Sequence, residues 1–381
     1  MIVYIITFII TIISTWLAER STKQKLAFII LSSIAILTPS LIAGFRDSGI
    51  GTDTQVYVDD TWNKIIQITS WSDFIKNYNQ GEFESIEPIY LFINWCASIF
   101  GKDIHYCYFI TNLSVILPIF CAIYNNRKKA PMWLSMTIFL FLYYNASLNL
   151  VRQSIALSFC IYAYKYLEQN NWKKLLIWSI IIINTHNTGI FYILFIFLYL
   201  IWNLIEKGST RSVLIGLYFT ILPILLLLFN YIVILAIYIG ILPTKYLIYL
   251  SEDNYGTISK STFFIYIAIF IVFFYIKKNT QYSFLEKKTI NYYFYSKFFG
   301  IILLCASYIS KWAFRISYYF NYPIDCIFLP RAIYSIRKKN KSTYNIISLS
   351  LICILIIMWY WLIVIRNEHE TIPYKSHILG I

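Results

Sequence analysis

Long apolar runs alternate with short polar or basic stretches along nearly the whole chain. The runs fall at about 2–17, 26–43, 104–124, 131–148, 150–167, 173–186, 189–205, 212–229, 262–276, 290–309, 315–334 and 344–365. Crossing a hydrocarbon core of ~30 Å takes about 20 helical residues at 1.5 Å each. The pattern therefore predicts an all-α, polytopic integral membrane protein with about twelve transmembrane helices. Two further apolar stretches, 87–100 and 231–250, would force a basic loop to the wrong side if they crossed. They are expected as re-entrant or interfacial segments on the outer side. Gly240 and Pro243 within the second suit a broken helix lining a cavity. No repeat or low-complexity linker is visible, so one integral domain over 1–381 is expected, with the extra segments carried in outer loops 44–103 and 230–261.

Charge sets the orientation. Arg20, Lys23 and Lys25; Arg127, Lys128 and Lys129; Lys277 and Lys278; Lys287 and Lys288; and Arg337, Lys338, Lys339 and Lys341 all sit in short loops between apolar runs, the positive-inside pattern. Placing them in the cytoplasm leaves both termini outside. The 44–85 loop is then outside too, and there acidic residues outnumber basic ones. The net charge of +14 is thus a signal of topology, and nucleic-acid binding is excluded as its explanation. Composition agrees: 13% charged residues is half the ~25% of a soluble domain. The seven cysteines lie nearly all in apolar runs and form no CxxC pair, so neither a disulfide framework nor a zinc site is expected. Residues 1–17 lack the basic start and A-x-A site of a cleaved signal peptide, so a retained first span is expected.

In this topology the unusual polar residues gather at the outer boundary. Arg46 and the turn Gly49-Ile50-Gly51-Thr52-Asp53-Thr54 follow the second run, ending near Tyr57; the glycines can bring backbone N–H groups close to a ligand. Glu87-Pro88-Ile89-Tyr90 opens the 87–100 segment, with Pro suited to the first helical turn. Asn145, Asn149 and Gln153 repeat at i, i+4, with Arg152 three beyond Asn149, and this spacing predicts one polar stripe on a helix. An arginine in such a run costs roughly 2.5–3.5 kcal/mol to insert, so it either snorkels or holds an anion. Asn184-Thr185-His186-Asn187-Thr188-Gly189 is a polar island between apolar runs, and its histidine suits proton transfer near neutral pH. Arg315, Tyr319 and Tyr322 recur at i, i+4, i+7, a cation with an aromatic stripe suited to phosphate and sugar. Tyr374, in Ile372-Pro373-Tyr374-Lys375, is a further outer element. No GxGxxG, Walker A, HExxH, GxSxG or D-x-D signature occurs, so no cofactor, metal or nucleotide is expected.

In this order, Gly44-Phe45-Arg46, Gly51-Thr52-Asp53-Thr54 with Tyr57, Glu87-Pro88-Ile89-Tyr90, Asn149-Leu150-Val151-Arg152-Gln153-Ser154-Ile155-Ala156, His186, and Arg315 with Tyr319-Phe320 resemble the EpsG family of Wzy-like bacterial polysaccharide polymerases. The resemblance implies a GT-C-like, metal- and nucleotide-independent glycosyltransferase at the outer face of the bacterial inner membrane. Its substrates would be undecaprenyl-pyrophosphate-linked oligosaccharides of O-antigen, capsule or exopolysaccharide biosynthesis. Membrane lipid is an implied partner, and a polysaccharide chain-length regulator is admitted. A hydroxyl of a new repeat unit would attack the anomeric carbon of the growing chain and release undecaprenyl pyrophosphate. Arg152 and Arg315, with Arg46 assisting, are the candidates for the leaving charge. His186, Glu87 and Asp53 are the candidate bases. Gly51, Thr52, Tyr57, Tyr90, Asn149, Gln153, Tyr319, Tyr322 and Tyr374 are candidate substrate contacts. A lipid-linked oligosaccharide flippase is the rival outside enzymes. An O-antigen ligase, serotype glucosyltransferase or acyltransferase is the rival within them.

Overall fold

The computed structural model describes residues 1–83, 86–204, 228–240, 247, 260–279, 284–306, 311–337 and 339–381, and these are helical with no strand among them. They fall into two compact units, Met1–Ile190 with Asp325–Ile381, and Phe191–Ile324. Each is described by itself.

The first unit carries ten helices before its return segment: α1 (Ile2–Arg20), α2 (Lys25–Gly44), α3 (Asp59–Ile65), α4 (Trp71–Asn79), α5 (Pro88–Ser98), α6 (Ile104–Asn126), α7 (Met132–Phe139), α8 (Asn145–Asn149), α9 (Val151–Glu168) and α10 (Trp172–Thr185). The helices Leu329–Arg337 and Lys341–Trp359 complete it. Four helical stretches among the described residues are long and apolar enough to cross a membrane: α1, α2, α6 and Lys341–Ile365. The 19 residues of α1 rise ~28 Å, close to the thickness of a hydrocarbon core.

Short connections turn the chain back between α1 and α2 and between α9 and α10, which pack side by side, and side chains lock the ends. Asn170 takes φ 52° after α9, where the Asn171 N–H donates to Tyr166 O at 2.9 Å and the Asn170 N–H to Leu167 O at 3.2 Å. That left-handed stop closes the helix, and the Asn171 side chain then caps α10 by accepting from the Lys174 N–H. At this end Arg331 donates to both Glu168 oxygens and to Asn126 Oδ1, while Lys129 lies 3.3 Å from Glu168. Glu19 Oε2, at the end of α1, accepts from the Met132 N–H at the start of α7. The ends of α1, α6, α9 and the start of α7 therefore lie together, beside the basic loops Arg20–Lys25 and Arg127–Lys129.

The opposite end holds the polar residues. Tyr4 OH donates to Thr371 O at 2.9 Å, and His105 Nδ1 lies 2.7 Å from Gly44 O. A segment after residue 365 folds back over this end. Its Lys375 O accepts from the Asp47 N–H at 3.0 Å, its His377 Nδ1 is 2.6 Å from Asp47 Oδ1, and its Glu370 O accepts from the Gly51 N–H at 2.9 Å. The eleven residues of α5 rise only ~16 Å, too short to cross, and the chain turns back into α6 at the same end.

In the second unit, the helix Phe284–Ala306 packs against Lys260–Asn279 and Lys311–Pro323. Aromatic contacts fill the joint, with Phe299 and Phe320 ring centroids 4.4 Å apart. The expected span 212–229 lies outside the described residues except at its end. Within 231–250 the helix Phe229–Tyr238 stops ahead of Gly240, while Pro243 lies outside the described residues.

Candidate functional site

The polar end of the first unit is built around a break in a helix. Residues 132–149 run from the basic end outward as α7, a wider turn at Leu140–Tyr144, and α8; α9 runs back. Between them Leu150 leaves helical geometry at φ −86°, ψ 60°. The predicted single stripe Asn145–Asn149–Gln153 is therefore corrected: the break puts Asn145 and Asn149 on one segment and Arg152 and Gln153 on the next. Asn145 is buried and structural, donating to Thr371 Oγ1 at 2.9 Å and accepting from Trp359 Nε1 at 2.7 Å. Asn149 Oδ1 accepts from the Asp53 N–H at 3.2 Å, tying the glycine loop to the break.

That loop presses against the break closely. Gly51 sits at φ 87°, and a Cβ there would stand 2.7 Å from Leu148 O. Its N–H is spent on Glu370 O, and the Gly49 N–H on Thr54 Oγ1 at 3.3 Å. The loop glycines thus serve close packing, and both of these N–H groups have internal partners. Arg46 is also engaged internally. It is buried, Nη1 donates to Leu148 O at 2.9 Å, and the guanidinium lies 4.8 Å from the Tyr108 ring centroid. A carbonyl orphaned by a helix break needs a donor, and Arg46 supplies it. Thr52 is exposed beside the loop, and the side chain of Tyr57 lies outside the described residues. Tyr374 is buried as well: its OH donates to Ile42 O at 2.9 Å, its ring meets Tyr4 edge-on at 5.5 Å, and burial pushes the phenol up to about 12.

Glu87 lies at the centre of the charged cluster. It precedes Pro88 as the N-cap residue of α5, as the dipeptide predicts. One carboxylate oxygen accepts from Arg152 Nη1 at 2.7 Å, and the other accepts from the Asn187 N–H at 3.0 Å. His186 Nδ1 is 3.8 Å from that second oxygen. Glu87 retains 6% exposure and Arg152 18%, so the pair is shielded yet reachable from the end of the bundle. α10 stops because His186 turns extended at φ −157°, ψ 132°, opening the tight turn Asn187–Gly189. Its Nδ1 accepts from the Thr188 N–H at 3.2 Å. Nδ1 thus faces both Thr188 and the Glu87 carboxylate. Tyr90 and Gln153 are buried beside these elements.

Three separately predicted elements, Glu87, Arg152 and His186, are thus brought together at one end. The Asn187 backbone N–H was not anticipated, although the polar island containing it was the available signal. Arg315, Tyr319 and Tyr322 belong to the second unit. There Tyr319 and Tyr322 are buried, Tyr322 meeting Tyr318 edge-on at 5.1 Å, and Arg315 is half-buried. Among the described residues no group of three or more His, Cys, Asp or Glu side chains is placed to hold a metal ion. A family model described as the EpsG family matches residues 28–376. No curated protein and no solved structure matches the chain.

Proposed function

Because this chain belongs to the EpsG family, we propose that it is a membrane glycosyltransferase that polymerises lipid-linked polysaccharide repeat units at the outer face of the bacterial inner membrane. The growing glycan on undecaprenyl pyrophosphate is the donor, and a new lipid-linked unit is the acceptor. The observation that carries this reading is the Glu87–Arg152–His186 cluster, gathered at the end of the first unit opposite its basic loops.

The transferred bond dictates what the site must do. An acceptor hydroxyl attacks the anomeric carbon, the C–O bond to pyrophosphate breaks, and the leaving group takes the electron pair. Fixed cationic donors stabilise that charge. Arg152, aimed by Glu87, fills this role. The acceptor hydroxyl gives its proton to a base at the same end, and His186 and Glu87, 3.8 Å apart there, are the candidates the cluster offers. Asp53, whose backbone N–H donates to Asn149 Oδ1 beside the break, is the third candidate. Arg315 is kept as a candidate phosphate ligand on its chemistry alone.

Deleting the gene and profiling surface glycan is the test. Single repeat units without a ladder, restored to long chains by the wild-type gene but not by Arg152→Ala, are expected. Loss of all repeats would point to the flippase, and normal ladders with Arg152→Ala would overturn the assignment of that residue.

A further inference from the structure

We propose that α4 and α5 form an amphipathic anchor that beds the acidic outer loop into the lipid interface of the membrane. The inference needs the chain to be a membrane protein and is independent of the reaction it performs.

On α4, Trp71, Phe74, Ile75 and Tyr78 follow i, i+3, i+4, i+7, one face of a helix. Phe74 is buried, while Trp71, Ile75 and Tyr78 are exposed; Asp73 and Lys76 take the opposite face. The helix is well started. Ser70 Oγ accepts from the Asp73 N–H, and Asp73 Oδ2 accepts from the Ser70 and Thr69 hydroxyls, both at 2.8 Å. On α5, Tyr90, Leu91, Asn94 and Ala97 are buried, and this helix packs on α6 and α10. Phe92 and Ile99 are left exposed on the other side. The two outward faces are joined by rings: Trp71 stacks on Phe74 at 5.2 Å, lies 5.2 Å from Trp95, and meets Phe92 edge-on at 6.0 Å.

The occupant follows from where this surface leads. Ile99 and Phe100, each 67% exposed, precede Gly101. A Cβ on Gly101 would stand 2.5 Å from Cε2 of Tyr106, so the chain passes directly over that ring. Tyr106 is exposed at the start of α6, and Leu117, three helical turns further on the same side, is exposed midway along a membrane-crossing helix. The patch is thus the upper edge of a lipid-facing stripe, with Trp and Tyr at its rim as an interfacial belt requires. A docking face for a soluble partner would have no reason to continue down a span.

Photocrosslinking in whole cells tests this. p-Benzoylphenylalanine is placed in the full chain at Ile75, at Phe92, at Lys76 on the polar face, and at Leu117 as the lipid-facing reference. Phospholipid adducts at Ile75 and Phe92 comparable to Leu117, with none above background at Lys76, are expected. A protein adduct at Ile75 or Phe92, equal adducts at Ile75 and Lys76, or lipid adducts at Leu117 alone would each overturn the proposal. All four side chains are exposed in the fold, and a wild-type melting temperature for each variant purified in detergent establishes that it folds.

Discussion

Replacing Glu87 with Gln keeps the shape of the side chain and removes its charge. Two donors converge on this carboxylate, Arg152 Nη1 at 2.7 Å and the Asn187 N–H at 3.0 Å. An amide offers one accepting oxygen, so one of these donors must face an NH₂ group. Breaking a buried pair by removing one partner costs about 3–5 kcal/mol. Arg152 keeps 18% exposure and can recover some hydration, which places the expected loss near the low end, about 3 kcal/mol. If the lost anchor lets the guanidinium drift by ~1 Å, polymerisation falls about 100-fold, equivalent to ~2.7 kcal/mol of barrier. The assay is purified enzyme with lipid-linked repeat units, read as ladder length and initial rate, beside thermal unfolding in detergent. Glu87→Gln and Arg152→Ala should not add: once Arg152 is gone, Glu87 has nothing to aim. A Glu87→Gln enzyme within about twofold of wild type, or losses that add fully in the double variant, would refute the positioning argument.

Three further outcomes follow from the same end of the unit. Gly51→Ala places a Cβ 2.7 Å from Leu148 O at φ 87°, and about 2–3 kcal/mol of stability should be lost; an unchanged melting temperature would contradict the close packing of loop and break. Arg46→Ala removes a charged donor from a buried carbonyl and a cation–π contact, for about 3 kcal/mol in melting measurements, and wild-type stability would contradict this structural role. Burial lowers His369 from its usual 6.5 to about 4. The unfolded segment therefore takes up a proton before the folded one does, so its docking is firmest above pH 6.5 and weakens as pH falls from 6.5 toward 4. Hydrogen exchange of residues 366–381 should rise across that window and be flattened by His369→Gln; a flat wild-type profile would remove the effect.

Much of the helical frame was legible because hydropathy reports directly on what a helix buries in lipid. The run 26–43 became α2 over Lys25–Gly44, and 104–124 became α6 over Ile104–Asn126, each edge within two residues. Convergence of Glu87, Arg152 and His186 on one end was legible for a related reason. In a chain of alternating spans, every second connection shares a side, so loop charge alone sorts the ends. Facing directions were less accessible. The i, i+4 rule that joined Asn145 to Gln153 assumes unbroken α-helix, yet a wider turn at Leu140–Tyr144 and the break at Leu150 both shift the register. Neither carries a proline or glycine that would announce it.

Arg46 shows the same limit from another side. A lone arginine beside a glycine turn at a membrane boundary has the look of an anion ligand, and its local sequence contains nothing against that. Its side chain is held by a carbonyl about a hundred residues away, and the next residue, Asp47, by a C-terminal segment more than three hundred away, neither visible in any local window. Arg152 differs because its partner could be argued from cost. Two charged groups at the same shielded end are each expensive alone, and pairing them is the least costly arrangement. The pairing also bears on function. An arginine balanced by a carboxylate at rest is oriented without attracting every passing anion, and in the proposed reaction a pyrophosphate would compete with Glu87 for it. The carboxylate that lowers the resting charge of the site is then also what keeps its donors aimed.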